Sequence, residues 1–353
     1  MLFFDVEGTY SSIGESIGEH FKQKIKQYVQ YRFEQMNDEI KKIGCSFRKD
    51  EYYCFSDQIL NYSQCAAPDE ISELNGIAKA TNIPINDLIF AVGYTDIFDL
   101  ILSRKGVLTT QLFDTNAECT TFIYNVHGKL FCGQNWDMDA ISAQNCCYFK
   151  KKYTNGVSIQ GLSTVIGMIH IGVNNDGLFV GTANLCSRRN SSEGLIFPVT
   201  IQHILNKKAN KNCLNWLKNI QKVGGHYFYI VNGFQSAIAF ECDSEDYSIH
   251  QISNSYTHSN HYKDSTFSDV GITYSADSHC RCQFIDDELK NKIVDIDSIK
   301  LMLSNHSNNI CRHYNNSGYS QTCASIIYDY NNQNIHLCDS NPCVGTWHLY
   351  KVK

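Results

Sequence analysis

Apolar residues recur at helical spacing through the first third of the chain and at strand spacing through most of the rest. From about residue 11 to 41, Ile13, Ile17, Phe21, Ile25, Val29, Phe33, Met36 and Ile40 stand three or four apart, with Lys and Glu between them. That period predicts one long amphipathic helix whose apolar stripe faces a core. Gly14 and Gly18 fall early in it, where they permit close packing. A second helix is expected over Asp57 to Asn61. A third opens at Pro68-Asp-Glu, because proline suits the first turn and acids suit the positive end of the helix dipole. Its buried face is Ile71, Leu74, Ile77 and Ala78. Pro84 to Leu102 reads as a fourth, very apolar helix.

From Cys119 onward the texture becomes that of strands. Cys119 to Val126 is β-branched and aromatic and predicts a strand. His127-Gly128 suits a two-residue turn, and Leu130 to Asn135 pairs back as the second strand. Such a hairpin places Cys119 and Asp137 at one open end. Further strands are expected over Val157 to Leu162, Thr164 to Gly172 and Leu178 to Leu185. A helical pair follows over Pro198 to Ala209 and Lys211 to Val223, then strands over Tyr227 to Asn232 and Ser236 to Glu241. Residues 253 to 281 show little periodicity and read as loop. Helices near Arg281 to Leu289 and Asp297 to Ser304, and a last hairpin of Thr322 to Asp329 with Ile335 to Cys338, complete the chain. Strands, two helices and strands again predict an α+β arrangement of sheets with helices laid across them.

Composition narrows the function. Of 353 residues, 43% are hydrophobic and 19% charged, as in a globular protein. A net charge of −6 with no long basic run argues against nucleic acid or an anionic membrane as partner. No apolar run reaches membrane-spanning length. The start, Met1-Leu-Phe-Phe-Asp-Val-Glu, lacks the charged region and apolar core of a secretory leader, which predicts a cytoplasmic protein. The 16 cysteines are then expected to be reduced, most of them as small buried hydrophobes. Four prolines and no low-complexity linker predict one compact unit. His258 with His261, Cys280 with Cys282 and Cys311 with His313 invite a zinc reading. None repeats the Cys-x-x-Cys pairing of a structural site, so neither metal nor cofactor is expected. Cys146 and Cys147 are expected to alternate between core and surface. Gly14-Glu-Ser-Ile-Gly18 has the Gly-x-Ser-x-Gly spacing but falls inside the expected first helix rather than at a strand-to-helix elbow, so a Ser-His-Asp hydrolase is poorly supported, and no Gly-rich phosphate loop is present.

Cys119-Thr-Thr, followed by Cys132-Gly-Gln-Asn-Trp-Asp137, resembles the nucleophile hairpin of the acyl-coenzyme A:6-aminopenicillanic acid acyltransferase family (isopenicillin N acyltransferase, peptidase family C45), among the N-terminal nucleophile hydrolases. The helical run Asp69 to Ala80, the motif His258-Ser-Asn-His261, the segment Ser275 to Arg281 and the run ending Ile310-Cys-Arg-His313 are similar to parts of the same family. The resemblance implies a four-layer αββα sandwich preceded by a helical N-terminal segment. It implies a precursor that cuts itself between Glu118 and Cys119. Residues 1–118 and 119–353 would then remain associated as two fragments.

The chemistry explains why a cysteine must be released. A thiol with a pKa of about 8.5 is only slightly ionised at neutral pH. An α-amino group titrates near pH 8, so a cysteine at a chain start carries its own base. Asp137 is expected to orient the new ammonium or a nearby hydroxyl, which Thr120 or Thr121 would supply. The resemblance implies that Asn260 holds the oxyanion through its amide N–H and that Arg281 orders the site. The implied substrate is a small acyl amide or acyl thioester, coenzyme A thioesters included, with water or an amine as acceptor. Two other readings stand beside this one. A bile-salt or acyl-amide hydrolase of the same superfamily usually has its cysteine near the chain start, whereas a long helical segment precedes Cys119. Relatives commonly carry Gly before the cysteine; Glu118 there keeps open an uncut, non-catalytic protein that binds a ligand or partner.

Overall fold

The computed structural model describes residues 1–107, 118–207, 212–234, 236–273, 277–291, 294–314 and 320–352. The chain opens with a strand, β1 (Leu2–Gly8), and six helices: α1 (Tyr10–His20), α2 (Lys22–Lys42), α3 (Lys49–Ala66), α4 (Pro68–Thr81), α5 (Ile85–Val92) and α6 (Tyr94–Arg104). The hairpin β2 (Glu118–Val126) and β3 (Lys129–Met138) follows, then α7 (Ala140–Gln144). Next come β4 (Cys146–Tyr153), β5 (Ser158–Thr164), β6 (Ile171–Asn174), β7 (Phe179–Asn184) and β8 (Cys186–Ser187). The pair α8 (Phe197–Asn206) and α9 (Asn212–Asn219) leads to β9 (His226–Val231), β10 (Ala237–Cys242), β11 (Tyr247–Ile252), β12 (Ser255–His258) and β13 (Gly271–Ile272). The C-terminal part holds α10 (Ser278–Asn291), α11 (Ile296–Leu303), β14 (Gln321–Asp329), β15 (Asn334–Cys338) and β16 (Trp347–Lys351).

Two sheets stack at the centre. One has eight strands in the order β1-β4-β5-β6-β7-β9-β10-β11, the other six in the order β12-β2-β3-β14-β15-β16. Three apolar clusters separate four layers. The first, with Ile13, Ile77, Phe90 and Ile201, joins the N-terminal helices and α8 to the outer face of the eight-stranded sheet. The second, with Ile123, Trp136, Leu162 and Tyr229, lies between the sheets. The third, with Phe122, Ile285 and Met302, seats α10 and α11 on the six-stranded sheet. The fold is therefore a four-layer αββα sandwich. Among the described residues no helix is long and apolar enough to cross a membrane.

Several expected elements differ. The single helix of residues 11 to 41 breaks at Phe21 (φ −103°, ψ 12°) into α1 and α2. The break lets α1 lie tightly on α4: a Cβ at Gly14 would sit 2.0 Å from the Glu73 carbonyl oxygen. Pro84 to Leu102 likewise divides at Gly93. The helix expected over Asp57 to Asn61 runs from Lys49 to Ala66. The N-terminal segment is not purely helical, because β1 pairs in parallel with β4, Leu2 opposite Cys147. Cys146 and Cys147 are both buried, one between the sheets and one under the helices, because their strand is covered on both faces. The end of the expected helix over Lys211 to Val223 is replaced after Asn219 by non-helical chain whose Lys222 forms a bridge with Leu195.

Candidate active site

The site grows from the β2–β3 turn. His127 (φ 52°) and Gly128 (φ 73°) both adopt the left-handed conformation, the two-residue turn whose twist matches paired strands. It sets Cys119 opposite Trp136 and Glu118 opposite Asp137. Paired residues share a face and successive residues alternate. Cys119 and Trp136 therefore enter the layer between the sheets, whereas Glu118 and Asp137 face the α10 side. The thiol and the carboxylate share the open end of the hairpin, as expected, but project from opposite faces of it.

Buried polar groups hold the chain on both sides of Cys119. Its N–H donates to Asn260 Oδ1 at 2.9 Å. Its carbonyl accepts from Arg281 Nη1 at 2.5 Å and from Ser259 Oγ at 3.0 Å. Arg281, on the first turn of α10, is fully buried rather than a surface ion-pair partner. Its Nη2 donates to Glu118 Oε2 at 2.7 Å and to Asn260 Oδ1 at 3.0 Å, and its Nε to Asp277 at 3.0 Å. Arg312 donates to the other Glu118 oxygen at 2.7 Å, to Ser320 at 3.0 Å and to Asp277 at 2.5 Å. Glu118 is thus a fully buried carboxylate with one guanidinium on each oxygen.

Asn260 sits where the loop after β12 meets Ser278, whose hydroxyl accepts from the Asn260 N–H at 2.8 Å. Two donors converge on its Oδ1, and its Nδ2 donates to the Asn184 carbonyl at the end of β7 at 3.0 Å, so its partners fix the amide's orientation. In the intact chain the amide thus turns its oxygen to Cys119 and one N–H to Asn184. The flanking histidines have other partners: His258 bonds Glu241 at 2.6 Å and His261 bonds Ser278 at 2.7 Å.

The hydroxyl at Asp137 belongs to neither Thr120 nor Thr121. Thr120 accepts from Arg281 at 2.9 Å, and Thr121 donates to the His258 carbonyl at 3.1 Å. Thr322 donates to Asp137 Oδ1 at 2.7 Å because β14 places the two residues opposite each other. Asp137 Oδ2 is buried without a hydrogen-bond partner among the described residues. Burial pushes the Asp137 carboxyl up to about 7, against the pull of Arg312, Thr322 and Arg281. Burial, and then the Asp137 and Glu118 charges, push the Cys119 thiol upward, with Arg281 opposing. The resting thiol is therefore protonated.

Ser259, Asp277, Arg312 and Thr322 were not singled out from the sequence. Ser259, Asp277 and Arg312 each had a usable signal, their places in His258-Ser-Asn-His261, Ser275 to Arg281 and Ile310-Cys-Arg-His313; Thr322 had none. Part of the expected segment Ser275 to Arg281, Ser275 and Ala276, lies outside the described residues.

A four-layer αββα sandwich with a cysteine at the head of a central hairpin is the architecture of the N-terminal nucleophile hydrolases. Within that class the chain belongs to the acyl-coenzyme A:6-aminopenicillanic acid acyl-transferase family, whose model matches residues 125–343. Glu118 to Thr121 precede the matched span. Similar solved structures include a variant of the conjugated bile acid hydrolase from Clostridium perfringens. It is 11% identical with a TM-score of 0.40, over 67% of this chain and 97% of that one. Another is the penicillin V acylase from Agrobacterium tumefaciens, 11% identical with a TM-score of 0.39, over 65% of this chain and 84% of that one. No curated protein matches by sequence. Family membership supports an acyl-transferring or amide-hydrolysing enzyme.

Proposed function

We propose that the chain cuts itself before Cys119 and then moves acyl groups from amides or thioesters through that cysteine to water or an amine. The observation that carries this reading is the double hold on Cys119, its N–H on Asn260 and its carbonyl on Arg281 and Ser259. In the cut, Cys119 Sγ bonds the Glu118 carbonyl carbon and the Glu118–Cys119 C–N bond breaks. The thiol proton ends on the Cys119 nitrogen. Water hydrolyses the thioester, releasing the Glu118 α-carboxylate and restoring the thiol. The new amine is then the base that a buried, protonated thiol needs.

Asn260 Oδ1, already on that nitrogen, orients the amine, and Asp137 Oδ2 receives its positive charge. The second N–H of Asn260 Nδ2 serves the oxyanion of each acyl intermediate. Turnover repeats the chemistry on an external amide or thioester. Intact mass of purified protein tests the proposal: a fragment beginning at Cys119 supports it, and an active enzyme that remains one uncut chain refutes it. The uncut, non-catalytic reading draws on the Glu118 clamp, since two buried arginines also hold the intact chain closed. A single chain inactive on acyl amides and thioesters would favour it.

A further inference from the structure

The loop after α11 and the loop between β15 and β16 bring together His306, Cys311, His313 and Cys343. One ligand atom from each residue lies within 4.8 Å of all the others. The two sulfurs are 3.5 Å apart and the two Nε2 atoms 3.3 Å apart. His313 Nε2 is 3.1 Å from Cys343 Sγ and 3.7 Å from Cys311 Sγ. Zinc bonds of about 2.3 Å to sulfur and about 2.0–2.1 Å to nitrogen give tetrahedral edges of about 3.8 Å (S–S), 3.3 Å (N–N) and 3.5 Å (S–N). These four edges lie within about half an ångström of the ideal ones, and the two from His306 to the sulfurs lie within 4.8 Å. No disulfide joins the two cysteines. We propose that these four side chains form a Cys₂His₂ zinc site. This departs from the expectation drawn from sequence spacing. Cys311-x-His313 was visible there, but Cys343 and His306 join it only through the fold.

Four protein ligands close the coordination sphere, so the site is structural rather than catalytic. Its position gives it a task. Cys311 and His313 flank Arg312, whose side chain turns inward to Glu118 and Asp277. The Arg312 backbone exchanges bonds with Thr322, which carries the hydroxyl on Asp137. The Arg312 carbonyl also accepts from Asn341, two residues before Cys343. A metal here pins the loop that aims Arg312 and supplies binding energy to a stretch without regular structure.

Elemental analysis of full-length protein grown with zinc should give one zinc per chain. Cobalt replacing that zinc should show the intense visible bands of tetrahedral Co(II) and the charge transfer of two thiolates. The double variant Cys311→Ser/Cys343→Ser should lose both. Wild-type protein with no zinc and no cobalt spectrum would overturn the site, as would full zinc retention in the double variant. If that variant does not fold, the wild-type cobalt spectrum decides alone, since a site without two thiolates lacks the charge transfer.

A separate observation bears on the acyl group, and it rests on the self-processing reading. The thioester formed during the cut carries the Glu118 acyl chain, with three carbons between its carbonyl and a carboxylate that Arg281 and Arg312 each bind at 2.7 Å. Every later acyl-enzyme forms on the same sulfur, beside the same two buried guanidinium groups. Turnover requires the Glu118 acyl chain to withdraw from that position even though the fragments stay associated, and its withdrawal leaves the two cations undercompensated until a new anion takes its place. We infer that the mature enzyme prefers acyl groups ending in a carboxylate, with glutaryl amides the matching length.

Processing is first established by mass. A glutaryl amide and the pentanoyl amide of the same amine are then compared, with the glutaryl amide expected to give kcat/KM at least ~100-fold higher. Arg312→Met should erase most of that ratio. A processed enzyme that turns over both amides equally would overturn the acyl inference and leave the proposed function intact. An uncut chain inactive on both would overturn the two together.

Discussion

Two of the protein's buried ionic clusters differ in what they are built around. In the helical layer, Lys151 of β4 meets Glu73 of α4 at 2.5 Å, and both side chains are fully buried. Gly167 O and Gln202 satisfy the ammonium at 2.7 and 3.0 Å, and Tyr153 and Gln202 satisfy the carboxylate at 2.8 and 3.1 Å. One cation meets one anion, and neither lies beside a bond that has to break. At the hairpin, Arg281 and Arg312 are balanced by Glu118 and Asp277, and Glu118 adjoins the proposed scissile bond. The first cluster is permanent scaffolding that joins the N-terminal helices to the sheet. On the proposed reading the second holds Glu118 only until the cut frees that residue to withdraw from the site. A buried ion pair tolerates loss of a partner poorly, so withdrawal of Glu118 after the proposed cut would put the second cluster, and not the first, in need of a new anion.

The largest effect expected is all-or-none. Wild-type protein should separate under denaturing conditions into residues 1–118 and a fragment beginning at Cys119, while Cys119→Ala should give one folded, inactive chain. Intact mass reads both. The fragments should stay together when native, since Arg32 of α2 bonds Asp139 at 2.8 Å just beyond β3, in addition to the shared apolar core.

Lys151→Met tests the permanent cluster. Stranding Glu73 should destabilise cut and uncut protein alike by about 3–5 kcal/mol, read from denaturant midpoints. Glu118→Gln in the uncut Cys119→Ala background should cost a comparable amount. Equal sensitivity to Glu118→Gln in cut protein would break the distinction between the clusters.

Asn260→Ala should lower kcat by roughly 10²–10³ with a smaller effect on KM. Asn260→Asp should be at least as harmful, because a carboxylate repels the oxyanion. A change confined to KM would assign Asn260 to binding instead.

The smallest effect concerns pH. Burial raises the Asp137 carboxyl from 3.8 to about 7 in the intact chain. The stability it contributes is therefore present below pH 3.8 and lost as pH rises through about 7. Uncut Cys119→Ala protein should lose stability over that window, and adding Asp137→Asn should flatten the slope. In the active enzyme Asp137→Asn should also remove most processing or turnover, because a neutral amide holds an ammonium poorly. Near-wild-type cleavage in that variant would take Asp137 out of the mechanism.

Local chemistry made part of this protein legible in its sequence. The turn at His127-Gly128, the alternation of β2 and the apolar stripes of the helices are each set by a few neighbouring residues, so the hairpin and its open end could be read directly. Cys119, Asp137, Asn260 and Arg281 were legible through motifs. What the tertiary structure alone decided depends on residues far apart in the chain. Arg312 reaches Glu118 across 194 positions, and Thr322 reaches Asp137 across 185. The parallel partner of β1, the orientation of the Asn260 amide and the meeting of Cys343 with His306 belong to the same kind. Periodicity encodes which face of an element is buried. It does not encode which distant face that element meets, because the partner is selected by packing the four layers together.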